Sequence, residues 1–323
     1  MAPIVAKLQN ISYTPYLRRP LADRPPDRSE RNLQTVTTAS ALSAALAAAR
    51  RPGVTIGFVP TMGALHAGHA ALIRACRAAC DVTVASIFVN PTQFNESADL
   101  AAYPRTPEAD TELLAAQGCD FLYLPAVDDI YPEGPSASSP AHAVDYGTLT
   151  DTLEGAHRPG HFAGVVQVVH RLLDVVRPDV LFLGQKDYQQ VAVLRRMIAG
   201  LGLSARIHVV ATVREADGLA LSSRNRRLTA GQRLAAGKIN QHLAVVAAGV
   251  RNGWPARELE RLAREGMAAV APLVPEYVAV VDGTTLLPYE DGTDAQEVVV
   301  AAAVRVGEVR LIDNRIILPA NPI

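Results

Sequence analysis

The stretch that decides the fold is Val54–Arg74, with the sequence VTIGFVPTMGALHAGHAALIR. Val54–Val59 is a short apolar run with β-branched residues between Gly53 and Pro60, which is typical of a buried β-strand. From Leu65 onward the apolar residues recur at roughly helical spacing, so we expect the chain to turn directly from strand to helix. Such a junction points free backbone N–H groups and the positive end of a helix dipole at one spot, where a phosphate would bind.

Two histidines lie at this junction. His66 and His69 are three residues apart, so on a helix they share a face, and Gly68 between them leaves room for a flat group or a phosphate. The pattern H-x-G-H alone is weak, because histidines are often ordinary core or capping residues. Zinc is the first functional competitor, but the pair has no third ligand nearby and no acidic neighbour, so we predict no protein-held metal site.

The composition limits the class of protein. Of the 323 residues, 49% are hydrophobic and 20% are charged, which allows two domains and a sizeable core. The net charge of −1 gives no global attraction for nucleic acid or an anionic membrane, so an anionic substrate requires local basic residues. No apolar run reaches the ~18 residues of a membrane helix, and we see no secretory signal. The three cysteines do not indicate a disulfide framework, and we therefore expect a cytoplasmic protein.

Strands and helices alternate from about residue 54 to residue 213, which predicts a parallel sheet with helices on its faces. After Arg224 the pattern changes to two helices followed by strands, which predicts a smaller α+β domain. We expect residues 1–32, rich in Arg, Pro and Asp, to be disordered. Residues 33–212 would then form the larger domain and residues 213–323 the smaller one.

Four polar stretches directly follow predicted strands. They are PTMGALHAGH, NPTQF, GQKDYQQ and READGLALSSRN. Because the carboxyl ends of parallel strands meet at one edge of the sheet, where such proteins bind ligands, we expect all four stretches to form one pocket.

Basic and hydroxyl side chains in these stretches form a candidate anion site. Lys186 or Arg224 alone would most simply be a solvated surface charge. Together with the two histidines and a helix N-terminus, they suit phosphoryl or nucleotidyl transfer. Ser222 and Ser223 add hydroxyl groups for phosphate oxygens. The motifs G-x-S-x-G, G-x-x-x-x-G-K-[ST] and, after the first strand, G-x-G-x-x-G are missing, which argues against a serine hydrolase, a P-loop enzyme and a dinucleotide oxidoreductase.

Other polar residues in the predicted pocket leave alternatives open. Asp187 either holds Lys186, helps to place Mg²⁺ or caps a helix. Arg158 and His161 either reach the phosphates or serve the start of a helix. Three glutamines suit hydroxyls or carboxylates of a small substrate, or are ordinary surface residues: Gln93, Gln189 and Gln190.

The motifs together resemble the pantoate–β-alanine ligase (pantothenate synthetase) family of the HxGH nucleotidylyltransferase superfamily. The resemblance runs from about Thr55 to Asn314 and includes, in order, PTMGALHAGH, IFVNPTQF, DLAAYPR, EGAHRPGHFAGV, GQKDYQQ, VREADGLALSSRN and RLIDN. It implies a Rossmann-like domain of the HUP type, a smaller C-terminal lid, a homodimer and a requirement for Mg²⁺. It also implies that ATP, pantoate and β-alanine are the substrates and that pantoyl adenylate is the intermediate.

The resemblance also implies roles for individual residues. The catalytic group comprises His69 as the proton donor, His66, Lys186, Arg224, Ser222 and Ser223. The implied ATP-binding residues are Pro60, Thr61, Met62, Gly63, Ala64, Leu65, His66, Ala67, Gly68, His69, Gly184, Gln185, Lys186, Asp187, Val213, Leu221, Ser222, Ser223 and Arg224. Gln93 and Gln190 would bind pantoate, and Gln93 would also lie near β-alanine.

The sequence departs from the family pattern at three positions. The family usually has an acidic residue at Ala67 and at Gln185, and Met at Leu221, but the predicted anion site needs no charge at any of these three positions. One rival interpretation is another HxGH adenylyl- or cytidylyltransferase, against which NPTQF and DYQQ argue. A second is a regulatory nucleotide-binding protein that has lost catalysis, yet both histidines and Lys186 are present.

Overall fold

The computed structural model describes residues 32–94 and 97–317. The predicted disordered extension, residues 1–32, lies outside these ranges except for Asn32. The strands are β1 (Gln34–Val36), β2 (Ile56–Thr61), β3 (Val82–Ile87), β4 (Phe121–Tyr123), β5 (Val180–Gly184), β6 (Arg206–Val210), β7 (Leu273–Asp282), β8 (Val298–Val306) and β9 (Val309–Ile317). The helices are α1 (Ala39–Ala49), α2 (Ala67–Ala79), α3 (Ser97–Ala102), α4 (Pro107–Ala116), α5 (Val127–Ile130), α6 (Leu153–His157), α7 (His161–Val176), α8 (Tyr188–Gly200), α9 (Ala230–Arg251) and α10 (Ala256–Ala268).

The first six strands form one parallel sheet in the order β1-β4-β3-β2-β5-β6. This confirms the predicted α/β fold with a parallel sheet. The central strand β2 pairs with β3 on one side and with β5 on the other, so the strand order changes direction there. A crevice opens beyond the carboxyl ends of the strands at such a switch point, which places a ligand site next to the end of β2.

Alternating residues of the central strands fill two apolar layers. Ile56 and Phe58 face the cluster beneath α1, α7 and α8, whereas Val59 faces the cluster beneath α2 and α4. This period of two is what a strand covered by helices on both faces requires. Within residues 32–94 and 97–317, no helix combines the length and apolarity needed to span a membrane.

The C-terminal region is a three-stranded antiparallel sheet, β7-β8-β9, accompanied by α9 and α10, as the predicted α+β character requires. Val281, Leu286 and Val299 of this region belong to the same buried cluster as α7 and α8, so the two sheets are joined by apolar contact. The division into domains at residue 212 remains a prediction.

Strand β9 runs to Ile317 although it contains Asp313 and Asn314, because both polar side chains are buried in hydrogen bonds. Strand β6, the last of the parallel sheet, ends at Val210, whereas the predicted alternation runs to about residue 213. The short elements β1 and α3 were not predicted, since three to six residues carry little periodicity.

Gly164 allows α7 to approach the turn after β3. A Cβ atom at Gly164 would lie 2.4 Å from the carbonyl oxygen of Thr92, which belongs to the 3₁₀ turn Pro91–Gln93. The Asn90 side chain joins the two segments, because its Nδ2 donates to the Gly164 carbonyl oxygen at 3.1 Å. The position of Gln93 therefore depends on this contact.

We expect Gly164→Ala to destabilise the fold by about 1–3 kcal/mol, because the added methyl group collides with backbone. The free energy of unfolding in urea measures this effect. Gly231→Ala is the matched control, since Gly231 is also helical but has open space where its Cβ would lie. Equal unfolding free energies for the two variants would contradict the proposed close packing.

Candidate active site

A cavity of about 800 Å³ lies at the carboxyl ends of the parallel strands. Residues from all four polar stretches line it, among them His66, Gln93, Lys186 and Leu221. The C-terminal sheet contributes a further wall that includes Arg310. The predicted convergence of the four stretches at one site is thus confirmed by the structure.

The two histidines cap helix α2 and thereby fix their own tautomers. The backbone N–H of Gly68 donates to Nδ1 of His66 at 3.1 Å, and the backbone N–H of His66 donates to Nδ1 of His69 at 3.3 Å. Because Nδ1 accepts in both rings, the neutral imidazoles carry their proton on Nε2. The ring centroids are 4.1 Å apart, and both rings line the cavity as hydrogen-bond donors.

Gly68 lies beside the ring of His66 and also lines the cavity. A Cβ atom there would lie 2.8 Å from Cε1 of His66, so the missing side chain leaves space for the imidazole ring. A role of Gly68 in binding a phosphate stays a prediction.

Both histidines are neutral at physiological pH. Burial, assisted by the positive charges of Lys186 and Arg226, lowers the pKa of His66 to about 4. Burial, followed by the effects of His66 and Lys186, lowers the pKa of His69 to about 3. The positive charge of the cavity therefore comes from lysine and arginine side chains, and the imidazoles serve as neutral donors.

A buried carboxylate holds the turn that precedes these histidines. Asp110, in α4, accepts hydrogen bonds from the backbone N–H groups of Ala64 (2.8 Å) and Leu65 (2.7 Å) and from Oγ1 of Thr106 (3.0 Å). Gly63 and Ala64 have φ angles of +81° and +49°, in the left-handed region. These hydrogen bonds offset the cost of burying the Asp110 carboxylate, and they stabilise a left-handed backbone conformation that alanine rarely adopts.

Lys186 is the central cation of the cavity. Its Nζ lies 3.3 Å from Oδ1 of Asp187, and the Asp187 side chain makes no capping hydrogen bond to α8. Burial opposes ionisation of Asp187, but the ammonium group of Lys186 outweighs it and lowers the pKa of that carboxyl group. Of the alternatives for Asp187, the structure thus favours the partner of Lys186 over the helix cap.

Arg224 reaches the cavity from the segment that follows the parallel sheet. Its Nη2 donates to Oδ2 of Asp99 at 3.0 Å, and Arg227 contacts the other oxygen of the same carboxylate at 3.4 Å. The hydroxyl of Ser223 donates to the carbonyl oxygen of Ala64 at 3.0 Å, and Oγ of Ser222 accepts from the backbone N–H of Arg224. The hydroxyls therefore attach this segment to the histidine turn and orient Arg224.

Gln93 lies between the histidine turn and helix α7. Its side-chain Nε2 is 2.9 Å from Sδ of Met62, and its backbone carbonyl oxygen accepts from Nδ1 of His161 at 2.9 Å. Nε2 of His161 then accepts from Nη1 of Arg158 at 3.2 Å, while burial lowers the pKa of His161 to about 4. His161 is thus a neutral link that orients Arg158 and Gln93, and all three line the cavity.

The two neighbouring glutamines of the DYQQ motif have different environments. Gln190 lines the cavity. Gln189 is buried, and its amide donates to the carbonyl oxygens of Leu149 and Thr152 and accepts from the backbone N–H of Glu154. Gln189 is therefore fully engaged in holding α6, and only Gln190 is available to a substrate.

Most of the residues implied by the family resemblance line the cavity, and five do not. Gly63, Ala64 and Leu65 form the buried turn, Ala67 is exposed, and Gln185 contacts β9 instead. Reasoning from sequence missed Asp110 and Asp99, since single acidic residues in helices are usually solvated. Within the described ranges, no group of three or more His, Cys, Asp or Glu side chains is arranged to hold a metal ion.

The fold and the cavity define a doubly wound α/β protein with a crevice at the switch point of its parallel sheet, lined by basic side chains such as Lys186 and Arg224. The family model for pantoate-beta-alanine ligase matches residues 34–316, and the chain belongs to this family.

Individual proteins agree with the family assignment. A pantothenate synthetase from Thioalkalivibrio sulfidiphilus is 48% identical over 286 residues, covering 87% of this chain and 97% of that protein. The crystal structure of pantothenate synthetase from Thermus thermophilus superposes with a TM-score of 0.81 at 42% identity, covering 88% of this chain and 100% of that one. Pantoate-beta-alanine ligase from Francisella tularensis, solved in complex with beta-gamma ATP and beta-alanine, gives a TM-score of 0.73 at 32% identity, with coverages of 88% and 97%.

We expect His66 and His69 to stay neutral in the free protein down to about pH 5, with the proton on Nε2. Unfolded histidines titrate near pH 6.5, whereas the folded pKa values are about 4 and 3. The unfolded chain thus binds more protons in this interval, so the stability that these residues contribute is complete above pH 6.5 and is lost as the pH falls toward 3. Nitrogen NMR of the imidazoles measures both tautomer and pKa, and an imidazolium signal from either residue at pH 6 would contradict the assignment.

Proposed function

We propose that this protein condenses (R)-pantoate with β-alanine at the expense of ATP, forming pantothenate, AMP and pyrophosphate through pantoyl adenylate. One observation carries the proposal: two neutral imidazole donors, a lysine, an arginine and two glutamine amides line the same cavity. The family membership and the ligands bound to the Francisella tularensis relative support the choice of substrates.

In the first step, an oxygen of the pantoate carboxylate attacks the α-phosphorus of ATP. An O–P bond forms, the bond from the α-phosphorus to the bridging oxygen breaks, and the electron pair leaves with pyrophosphate. Nε2–H groups of His66 and His69 and the ammonium group of Lys186 would stabilise the charge that develops on the leaving group. Arg224 would exchange its carboxylate partner Asp99 for a phosphate oxygen.

In the second step, the amine of β-alanine attacks the acyl carbon of the adenylate. A C–N bond forms, the C–O bond to the phosphate breaks, the nitrogen gives up a proton to solvent water, and AMP leaves with the electron pair of the broken bond. Gln93 and Gln190 would orient the pantoyl group with their amides, so that the acyl carbon stays within reach of the amine. The remaining implied ATP-binding residues would contact the nucleotide from the histidine turn, the Gly184–Asp187 turn and the segment around Val213 and Leu221.

Mg²⁺ would enter with the nucleotide. The cavity offers single carboxylates, such as Asp187, but no cluster of ligands among the described residues. That donor set fits Mg²⁺, which commonly binds through phosphate oxygens and water with one or two carboxylates. The ion would supply further neutralisation of phosphate charge.

The dimer is proposed from the family resemblance, and the location and the class of partner are proposed from the composition. We infer a cytoplasmic homodimer that takes small-molecule substrates and binds neither nucleic acid nor membrane. The three cysteines, Cys76, Cys80 and Cys119, are all free thiols, as a reducing compartment permits. The mass in solution, measured by light scattering, tests the dimer.

The reaction itself gives the most direct test. Purified protein supplied with MgATP, D-pantoate and β-alanine is expected to release AMP and pantothenate in equal amounts. Without β-alanine, pantoate should still support exchange of labelled pyrophosphate into ATP, because the adenylate forms first. Turnover with another carboxylic acid but none with pantoate would refute the substrate assignment, and exchange without pantothenate would refute the second step.

We expect Lys186→Ala and His69→Ala to lose most of kcat while the protein stays folded. Each removes a donor to the leaving group, and single donors of this kind contribute roughly 10²–10³-fold to kcat. Lys238→Ala is the matched control, because Lys238 is exposed on α9. A decrease in kcat of less than about tenfold, or about 1.4 kcal/mol, would remove either residue from the transition-state contacts.

A further inference from the structure

Two adjacent polar residues of β9 are buried but do not line the cavity. Asp313 is 4% exposed and Asn314 is 3% exposed, and the proposed reaction uses neither. Both stand in the RLIDN segment, directly after the apolar pair Leu311 and Ile312 of β9. Buried polar side chains are costly unless their hydrogen bonds are satisfied, so their partners indicate what they do.

Asn314 is bound to the turn that carries Lys186. Its Nδ2 donates to the carbonyl oxygens of two successive residues, Gln185 at 3.0 Å and Lys186 at 2.7 Å. Its Oδ1 accepts from Nε2 of Gln185 at 3.3 Å. One amide group therefore fixes the backbone from which the Lys186 side chain extends into the cavity.

Asp313 is bound to the segment that follows β6 and lines the cavity at Val213 and Leu221. Its carboxylate accepts two hydrogen bonds from Arg214, at 2.7 and 2.9 Å. Arg214 also donates to the carbonyl oxygens of Gly218 and Asn314. The same segment is closed by a hydrogen bond from Leu221 to Val213, two residues that line the cavity. One strand of the C-terminal sheet thus holds two walls of the site.

We propose that Asn314 is a positioning residue for Lys186. The Asn314 side chain contributes to catalysis by holding the lysine turn and does not itself touch substrate. This inference rests on the proposed function. Gln185–Asp187 is a single 3₁₀ turn, which has few hydrogen bonds of its own to define its backbone. Without the Asn314 amide, the turn would lose the two hydrogen bonds nearest to Lys186, and the ammonium group would no longer be held where charge develops.

The test compares two buried amides. Asn314→Leu keeps the side-chain size and removes both donors. Gln167→Met is the control, because Gln167 also donates to two backbone carbonyls, those of Pro135 and Ala137, and none of these three residues lines the cavity. Asn314→Ala serves as a second variant with the same expected loss of kcat, so that one folded protein remains if the leucine replacement fails to fold.

Asn314→Leu is expected to lower kcat at saturating substrates on the order of 100-fold. Gln167→Met is expected to keep a kcat close to that of the wild type. Both variants should lose a comparable amount of thermal stability. When Lys186→Ala is added, the double variant should be no slower than Lys186→Ala alone, because both changes remove the same interaction. A kcat for Asn314→Leu that matches Gln167→Met, or losses that multiply in the double variant, would overturn the proposal.

ATP affinity provides a readout that does not require turnover. Calorimetry should show ATP binding weakened about tenfold in Asn314→Leu and unchanged in Gln167→Met. A wild-type protein that makes no pantothenate would overturn the proposed function, and the calorimetric comparison would then still decide the role of Asn314.

Discussion

The site depends on the carboxylate of Asp110, which holds the turn between β2 and α2. The backbone N–H groups of Ala64 and Leu65 would be buried without partners if this carboxylate were absent. A left-handed backbone conformation at a residue with a side chain, such as Ala64, lowers the stability of the fold by roughly 1–2 kcal/mol. An unsatisfied buried donor lowers it by about as much again. With the turn fixed, the first turn of α2 begins at a defined point, and the ring of His66 can cap it.

The cap in turn decides what the histidines can do. Since Nδ1 of each ring is occupied by a backbone N–H, each ring offers one donor, Nε2–H, to the cavity. Burial lowers the pKa of both rings and keeps them neutral, and the charge of Lys186 adds to this effect. The cations of the free site are themselves paired, Lys186 with Asp187 and Arg224 with Asp99. A nucleotide would therefore displace carboxylates as it binds, so binding energy is partly used to exchange partners.

The sequence alone predicted the features that periodicity and strand ends control. The parallel sheet, the α+β character of the C-terminal region and the convergence of four loops follow from alternating apolar runs and from the rule that parallel carboxyl ends share an edge. The contacts of single polar side chains could not be predicted in this way. Asp110 looks like any acidic residue in the first turn of a helix, and Gln189 cannot be distinguished from Gln190 by type. Their roles depend on which backbone groups face them after folding.

The C-terminal sheet is held to the parallel-sheet region by buried polar contacts, although the family resemblance implies that it is a separate lid. Arg310 of β9 donates to both oxygens of the buried Glu154 in α6, and Nδ2 of Asn314 donates to the carbonyl oxygens of Gln185 and Lys186. Removing one partner of a buried ion pair costs about 3–5 kcal/mol, because the remaining charge is left uncompensated. A lid motion that separated β9 from α6 and from the Gln185–Asp187 turn would lose all of these contacts. Any opening during turnover is therefore expected to keep β9 in place and to move the segments beside it, which is consistent with the proposed positioning of Lys186 by Asn314.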